Sequence, residues 1–119
     1  MKFGGHSVKR LEDDRLLTGK GRYTDDIQLP GLVYGVTLRS PYGHARVTRI
    51  DATAAKAEPG VLAVYTAADV AGYGGIPCVV PLSAPLETPH PLLTDVARFV
   101  GDGIAFVVAE SREAARAAA

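Results

Sequence analysis

Apolar and polar residues alternate over residues 32–39, and this alternation predicts a β-strand with one apolar face. Tyr34, Val36 and Leu38 are the apolar members of the pattern. Side chains on a strand point alternately to opposite faces, so these three should face the core together. The Ser-Pro-Tyr-Gly sequence at residues 40–43 is expected to end the strand, because proline and glycine disfavour its continuation.

Further apolar runs predict the remaining strands. Residues 45–51 alternate imperfectly, while residues 61–65 and 96–100 are short apolar runs. Residues 104–109 (IAFVVA) are apolar on both faces, which is typical of a central strand covered on both sides. Gly-Asp-Gly at residues 101–103 predicts a tight turn before that strand, since glycine adopts turn conformations at little cost.

Short helices are predicted where a capping residue precedes helix-forming residues. Asp51 is the expected N-cap of a helix over residues 52–57, because its carboxylate can accept a backbone N–H of the first turn. Thr66 and Asp69 have the spacing of a capping box. Ser111 is expected to cap a final helix that runs to the end of the chain, where it looks cut before its natural end.

Three less regular segments complete the pattern. Residues 10–15 (RLEDDR) predict one helical turn with paired charges, and residues 23–27 predict a short strand. Residues 71–91 contain many prolines and glycines, which exclude long helices and central strands there. Within that loop, residues 78–82 (CVVPL) predict a brief edge strand.

The order of these elements predicts the fold class. Strands, short helices and one long Pro/Gly loop follow one another as β-β-β-α-β-α-loop-β-β-α, which indicates an α+β fold with a mixed sheet. A chain of 119 residues has the length of one domain. We therefore expect residues 1–119 to form a single domain.

Composition and charge exclude several partners. The chain has 13 basic and 13 acidic residues and zero formal net charge, which is not the electrostatic signature of a nucleic-acid or anionic-membrane binder. No window approaches the roughly 18 apolar residues of a membrane span. The N-terminal sequence lacks the apolar run of a signal peptide, and a lone cysteine, Cys78, fits a reducing compartment. A cytoplasmic location follows as an expectation.

Two local motifs that suggest chemistry have simpler interpretations. Asp25 and Asp26 form an adjacent pair of carboxylates, but neighbours on a strand point to opposite faces, and in a turn such residues bind backbone N–H groups. Gly101 and Gly103 begin a dinucleotide fingerprint that Phe106 then breaks, and a strand rather than a helix follows.

The histidines and the cysteine also give no site. His6, His44 and His90 have no histidine or cysteine at helical or strand spacing, whereas a metal site needs three or four convergent ligands. His44 is expected to tie its turn to the backbone through a ring nitrogen. Cys78 lacks the cationic neighbour that activates a thiol. We therefore assign no catalytic, cofactor-binding or metal-binding residue to this chain.

An ordered series of short matches gives the chain a family resemblance. It resembles the N-terminal α/β-hammerhead domain of the molybdenum-binding large subunit in the xanthine oxidase and aldehyde oxidase family, most of all the carbon monoxide dehydrogenase-type large subunits. Asp102-Gly103 and Tyr42-Gly43 depart from the family pattern, where Glu-Pro-like and His-Ala-like pairs are common. The matching residues are Lys9-Arg10-Leu11-Glu12-Asp13, Leu17-Thr18-Gly19, Gly21, Tyr23, Asp25-Asp26-Ile27, Leu29-Pro30-Gly31, Arg39-Ser40-Pro41, His44-Ala45-Arg46, Ile50-Asp51, Pro59-Gly60-Val61, Thr66, Asp69, Pro91-Leu92-Leu93, Val100-Gly101 and Val107-Val108-Ala109-Glu110-Ser111.

This resemblance implies a parent enzyme and a role for the domain. The parent would be a molybdenum hydroxylase with a molybdopterin-type cofactor, and with [2Fe-2S] clusters and FAD on other domains or subunits. The hammerhead domain would be structural and inactive alone. Its partners would be the remaining molybdenum-binding domains of the same subunit and the iron–sulfur and FAD subunits, and the fragment alone could self-associate.

An alternative from a different class is a free-standing protein-interaction module that reuses the hammerhead fold, since a fold does not fix a function.

Overall fold

A computed structural model describes residues 4–5, 8–75, 79 and 90–119 of the chain. Its contacts separate two compact units, Met1–Gly31 and Leu32–Ala119. The prediction that residues 1–119 form a single domain stays a prediction.

The first unit contains two short helical segments. Helix α1 spans Asp13–Leu17, and ion pairs of the kind expected for residues 10–15 join Arg10 to Asp13 and Arg15 to Glu12. The strand predicted at residues 23–27 is wrong. A 3-10 helix occupies Thr24–Asp26 instead, because the Asp26 carboxylate accepts a hydrogen bond from the Tyr23 N–H at 2.9 Å and closes a turn.

The second unit is built on an antiparallel sheet whose described strands run in the order β1-β5-β3. A two-stranded sheet pairs β2 with β4, again antiparallel. The α+β class with a few short helices is confirmed, and the parallel component of a mixed sheet is not among the described pairings. The strands are β1 (Tyr34–Arg39), β2 (Ala45–Arg46), β3 (Val61–Thr66), β4 (Val96–Ala97) and β5 (Gly103–Ala109).

Two predicted strands are much shorter in the structure. Only residues 45–46 of the expected strand 45–51, and residues 96–97 of the expected strand 96–100, are paired. Among the described residues, β2 and β4 pair over two residues each. Beyond that point Val47 still donates its N–H to the Asp95 carbonyl at 2.7 Å.

The helices of the second unit follow the predicted caps closely. Helix α2 spans Thr53–Ala57, α3 spans Ala67–Val70, and α4 spans Arg112–Ala118, with a 3-10 helix at Ala71–Tyr73. Ser111 caps α4 as predicted, since its hydroxyl accepts the Ala114 N–H at 3.1 Å. Asp51 lies one position before the cap residue of α2, yet its carboxylate accepts the Thr53 N–H at 3.1 Å.

The core lies on one face of the β1-β5-β3 sheet. Burial alternates along β5, so that Ala105, Val107 and Ala109 are buried. Helix α4 packs against this sheet and buries Ala115 completely. Strand β5 is central as predicted, but the prediction that both of its faces are covered is wrong at Phe106, which stays exposed on the other face.

The long Pro/Gly segment is described only in part. The edge strand predicted at residues 78–82 lies outside the described residues apart from Val79, and Cys78 lies outside them too. Where the description resumes, Leu92 and Leu93 are buried. The Leu93 N–H donates to the Gly103 carbonyl at 2.7 Å, so this end of the segment is held against β5.

Candidate functional site

Two loops meet at one end of the β1-β5-β3 sheet and are held together by hydrogen bonds. We call them the paired loops: residues 40–43, which follow β1, and residues 98–102, which precede β5. The Ser40 N–H donates to the Asp102 carbonyl and the Gly101 N–H donates to the Ser40 carbonyl, each at 2.8 Å. The loops are therefore joined backbone to backbone.

Ser40 organises the first of these loops from the inside. It is 4% exposed, and its hydroxyl accepts the Tyr42 N–H at 3.1 Å and donates to the Tyr42 carbonyl at 2.9 Å. A buried hydroxyl is stable only when its hydrogen bonds are made. Ser40 meets that condition with partners two residues away.

The second loop is closed by Asp102 and Gly101. The Asp102 carboxylate accepts the Arg98 N–H at 3.1 Å, and the Asp102 N–H donates to the Phe99 carbonyl at 3.2 Å. Gly101 adopts a φ of +96°, a left-handed conformation that glycine reaches without steric cost. A tight turn does precede β5, but it spans residues 99–102 rather than the predicted 101–103, and Gly103 already belongs to β5.

A groove of about 400 Å³ lies on the exposed face of the same sheet. Tyr65 of β3 pairs with Phe106 of β5, which also pairs with Thr37 of β1, so these side chains share that face. The Phe106 ring lies over Gly35, where an added Cβ would collide with it. Arg39 stands at the groove and donates to the Gly101 carbonyl at 2.8 Å, which connects the groove to the paired loops.

The aspartates singled out from the sequence do not form a reactive pair. Asp26 accepts the Tyr23 N–H within the 3-10 helix, as expected of an aspartate in a turn. Asp25 is exposed and also has an interaction partner.

The histidines are placed separately. His44 is exposed, and no hydrogen bond joins it to the described residues, so the prediction that it ties its turn to the backbone is wrong; Ser40 performs that role. His90 Nδ1 donates to the Leu92 carbonyl at 3.1 Å, and its buried Nε2 has no hydrogen-bond partner among the described residues. His6 lies outside the described residues.

Two aspartates have perturbed acidity, and both act at helix starts. Hydrogen bonds from the Thr53 side chain and its backbone N–H hold the pKa of Asp51 below its ordinary value, with a smaller contribution from Arg49. The Thr66 backbone N–H, followed by the Thr66 hydroxyl, lowers the pKa of Asp69 in the same way. Both residues are exposed, so the lowered pKa values reflect capping rather than catalysis.

The described residues offer no metal centre. Among residues 4–5, 8–75, 79 and 90–119, no group of three or more His, Cys, Asp or Glu side chains is placed to hold a metal ion. In the part of the chain that the structure describes, no helix has the length and apolar character needed to cross a membrane.

Comparison with known proteins gives consistent matches. The family model described as "Aldehyde oxidase and xanthine dehydrogenase, a/b hammerhead domain" matches residues 18–119. The nicotine 6-hydroxylase large subunit of Paenarthrobacter nicotinovorans is 45% identical over 113 residues, which cover 93% of this chain and 14% of that protein.

Solved structures agree with the sequence matches. Quinoline 2-oxidoreductase from Pseudomonas putida 86 aligns with a TM-score of 0.80 and 45% identity over 96% of this chain and 15% of its own. A Cu,Mo-CO dehydrogenase aligns with a TM-score of 0.76 and 40% identity over 93% of this chain and 14% of its own. The chain thus spans about one-seventh of the length of each of these proteins.

Proposed function

The chain belongs to the aldehyde oxidase and xanthine dehydrogenase a/b hammerhead family, and from that membership we propose that it is the hammerhead domain of a molybdenum hydroxylase large subunit. In this role the domain is structural. It packs against the domains that hold the cofactor and performs no chemical step itself.

One observation carries the proposal. The family model and the similar structures cover almost all of this chain, while the chain covers only 14% of the nicotine 6-hydroxylase large subunit and 15% of the quinoline 2-oxidoreductase chain. A unit that recurs as a small part of much longer oxidoreductase chains is best explained as one of their domains. We extend that domain to the whole of residues 1–119.

The parent enzyme would use a molybdopterin-type cofactor, which supplies the oxidation of a substrate carbon, or of carbon monoxide, by transfer of two electrons to the metal. We propose that this cofactor is held by the rest of the parent subunit and that residues 1–119 contribute no ligand to it. The carboxylates with lowered pKa values, Asp51 and Asp69, accept hydrogen bonds at helix starts.

The partners and location follow from the same proposal. The immediate partners are the remaining molybdenum-binding domains of the subunit, and beyond them the subunits that carry iron–sulfur clusters and FAD. A name such as "Cu,Mo-CO Dehydrogenase" among the similar structures supports the molybdenum assignment. As part of the same proposal, we place the complex in the cytoplasm.

The direct test is to read the gene downstream of the Ala119 codon. We expect the reading frame to continue for several hundred residues, with glycine-rich loops that could contact a pterin and a late glutamate that could act as base. A stop codon immediately after Ala119 would contradict the proposal and would favour the free-standing interaction module.

A further inference from the structure

The paired loops display large apolar side chains to solvent. Phe99 is 56% exposed, Val100 is 68% exposed and Tyr42 is 66% exposed. Phe99 and Val100 are adjacent in the second loop, and Tyr42 is carried by the first. Large apolar groups concentrated at one end of a sheet mark a surface that gains free energy when a partner covers it.

These side chains stand on a rigid base. Reciprocal backbone hydrogen bonds link Ser40 with Gly101 and Asp102, the buried Ser40 hydroxyl fixes the Tyr42 backbone, and the Asp102 carboxylate fixes Arg98. Binding by a loop normally costs conformational entropy, because the loop must be ordered. Here the hydrogen bonds within the chain already order both loops, so binding a partner should cost little additional conformational entropy.

Arginines lie at the edge of this apolar group. The Arg39 guanidinium donates to the Gly101 carbonyl at 2.8 Å and the Arg98 guanidinium donates to the Val96 carbonyl at 3.4 Å. Within the described residues neither forms an ion pair, although both can still donate further hydrogen bonds. Aromatic residues and arginine are the residue types most enriched where binding energy concentrates in protein interfaces.

We propose that the paired loops are a docking knob that inserts into an apolar pocket with an acidic rim on the remaining part of the same large-subunit polypeptide. The proposal rests on the proposed function. Two observations favour this partner. The proteins similar to this chain contain the matching region within polypeptides about seven times longer. An apolar surface with arginines at its edge is complemented by an apolar pocket with acidic residues around it.

The test is hydroxyl-radical footprinting of the full-length protein encoded by the gene, with mass spectrometry of the peptides that contain Tyr42 and Phe99. The oxidation rate of each ring is compared between the folded protein and the same protein unfolded in urea. A ring that stays exposed to solvent loses little reactivity on folding. If both rings are buried in the core of an interface, their oxidation rates should fall about tenfold, because an exposure above one half falls to a few per cent.

Two variants of the full-length protein provide the matched comparison. Phe99→Ser removes the centre of the knob and should raise the oxidation of Tyr42 severalfold in the folded protein. Leu62→Ser is the control, because Leu62 is 53% exposed but lies on β3 near the opposite end of β5. It should leave the oxidation of Tyr42 unchanged.

The outcomes separate the two proposals. If the intact mass shows that the gene encodes only a short chain, the proposed function fails and the docking proposal fails with it. If the protein is several times longer but Tyr42 and Phe99 oxidise at nearly the unfolded rate, the docking proposal alone is overturned. The measurement on the unsubstituted protein decides this even if Phe99→Ser does not fold.

Discussion

At the scale of single residues, the chain uses short polar side chains to fix backbone turns. Ser40 binds both the N–H and the carbonyl of Tyr42, and Asp69 binds the N–H and the hydroxyl of Thr66. Ser40 is buried while Asp69 is exposed. The two sites should therefore respond differently to substitution.

Replacing Ser40 with alanine should destabilise the fold by about 1–3 kcal/mol, the usual cost of leaving a buried polar group without its partner. The Tyr42 N–H loses its acceptor when the hydroxyl is removed. Urea denaturation followed by circular dichroism measures the change. Thr94→Ala is the control, because Thr94 is exposed and, in the part of the chain that the structure describes, its hydroxyl bonds only the neighbouring Asp95. The change should therefore stay within about 0.5 kcal/mol.

Asp69 should make stability depend on pH in the acid range. Its pKa is lowered in the folded state from an ordinary value of 3.8, so its contribution is present above pH 3.8 and is lost as the pH falls through the lower, folded-state pKa. Asp69→Asn should remove that part of the acid dependence.

The measurement is a series of urea denaturations from pH 5 downwards, with Glu58→Gln as the control, since the Glu58 carboxylate accepts no hydrogen bond from the described residues. Identical acid profiles for Asp69→Asn and the unsubstituted chain would show that the capping box contributes nothing.

At the scale of elements, the sheet is organised by β5 and covered by α4. Buried residues alternate along β5, and α4 places the fully buried Ala115 against the sheet. Arg112 at the start of the helix lies 5.8 Å from the centre of the Tyr34 ring, which adds a cation–π contact at the edge of the same layer. The small size of Ala115 sets how closely helix and sheet approach.

Replacing Ala115 with leucine should destabilise the fold by about 1–3 kcal/mol, because a larger side chain overpacks a close helix–sheet contact. Ala117→Leu is the control in the same helix, since Ala117 is exposed and leucine is nearly as good a helix former as alanine. Thermal unfolding of both variants gives the comparison. Equal melting temperatures would contradict the close packing at Ala115.

Most of the helices and strands could be predicted from the sequence, whereas some of their lengths could not. Periodicity and caps identified β1, β3, β5, α2, α3 and α4, because each has a local signal: alternation, a continuous apolar run or a capping residue. The lengths of β2 and β4 were not predictable, since they depend on where two distant segments stop pairing. The 3-10 helix at Thr24–Asp26 was missed because the apolar residues around it resemble a short strand.

The paired loops show why the candidate surface was harder to find than the fold. Ser40 has no local signal that separates it from His44 as the residue that fixes the turn. Its role depends on contact with Gly101 and Asp102, about sixty residues away in sequence. The sequence alone does not indicate that the Ser-Pro segment and the Gly-Asp-Gly segment are in contact. The pairing of β1 with β5 brings them together.

At the scale of the whole molecule, we propose that the chain supplies structure to an enzyme whose chemistry occurs in other domains. The family match over residues 18–119 and the large difference in length from similar proteins support this claim. The open face of the sheet and the paired loops give the second unit apolar surface that other domains can cover.

The most direct test is to tag the gene at its native stop codon, purify the protein from its own cells and measure both its mass and its molybdenum content. We predict that peptides from residues 1–119 occur in a polypeptide several times longer and that molybdenum is bound stoichiometrically. A purified protein of 12.5 kDa that contains no molybdenum would contradict the account.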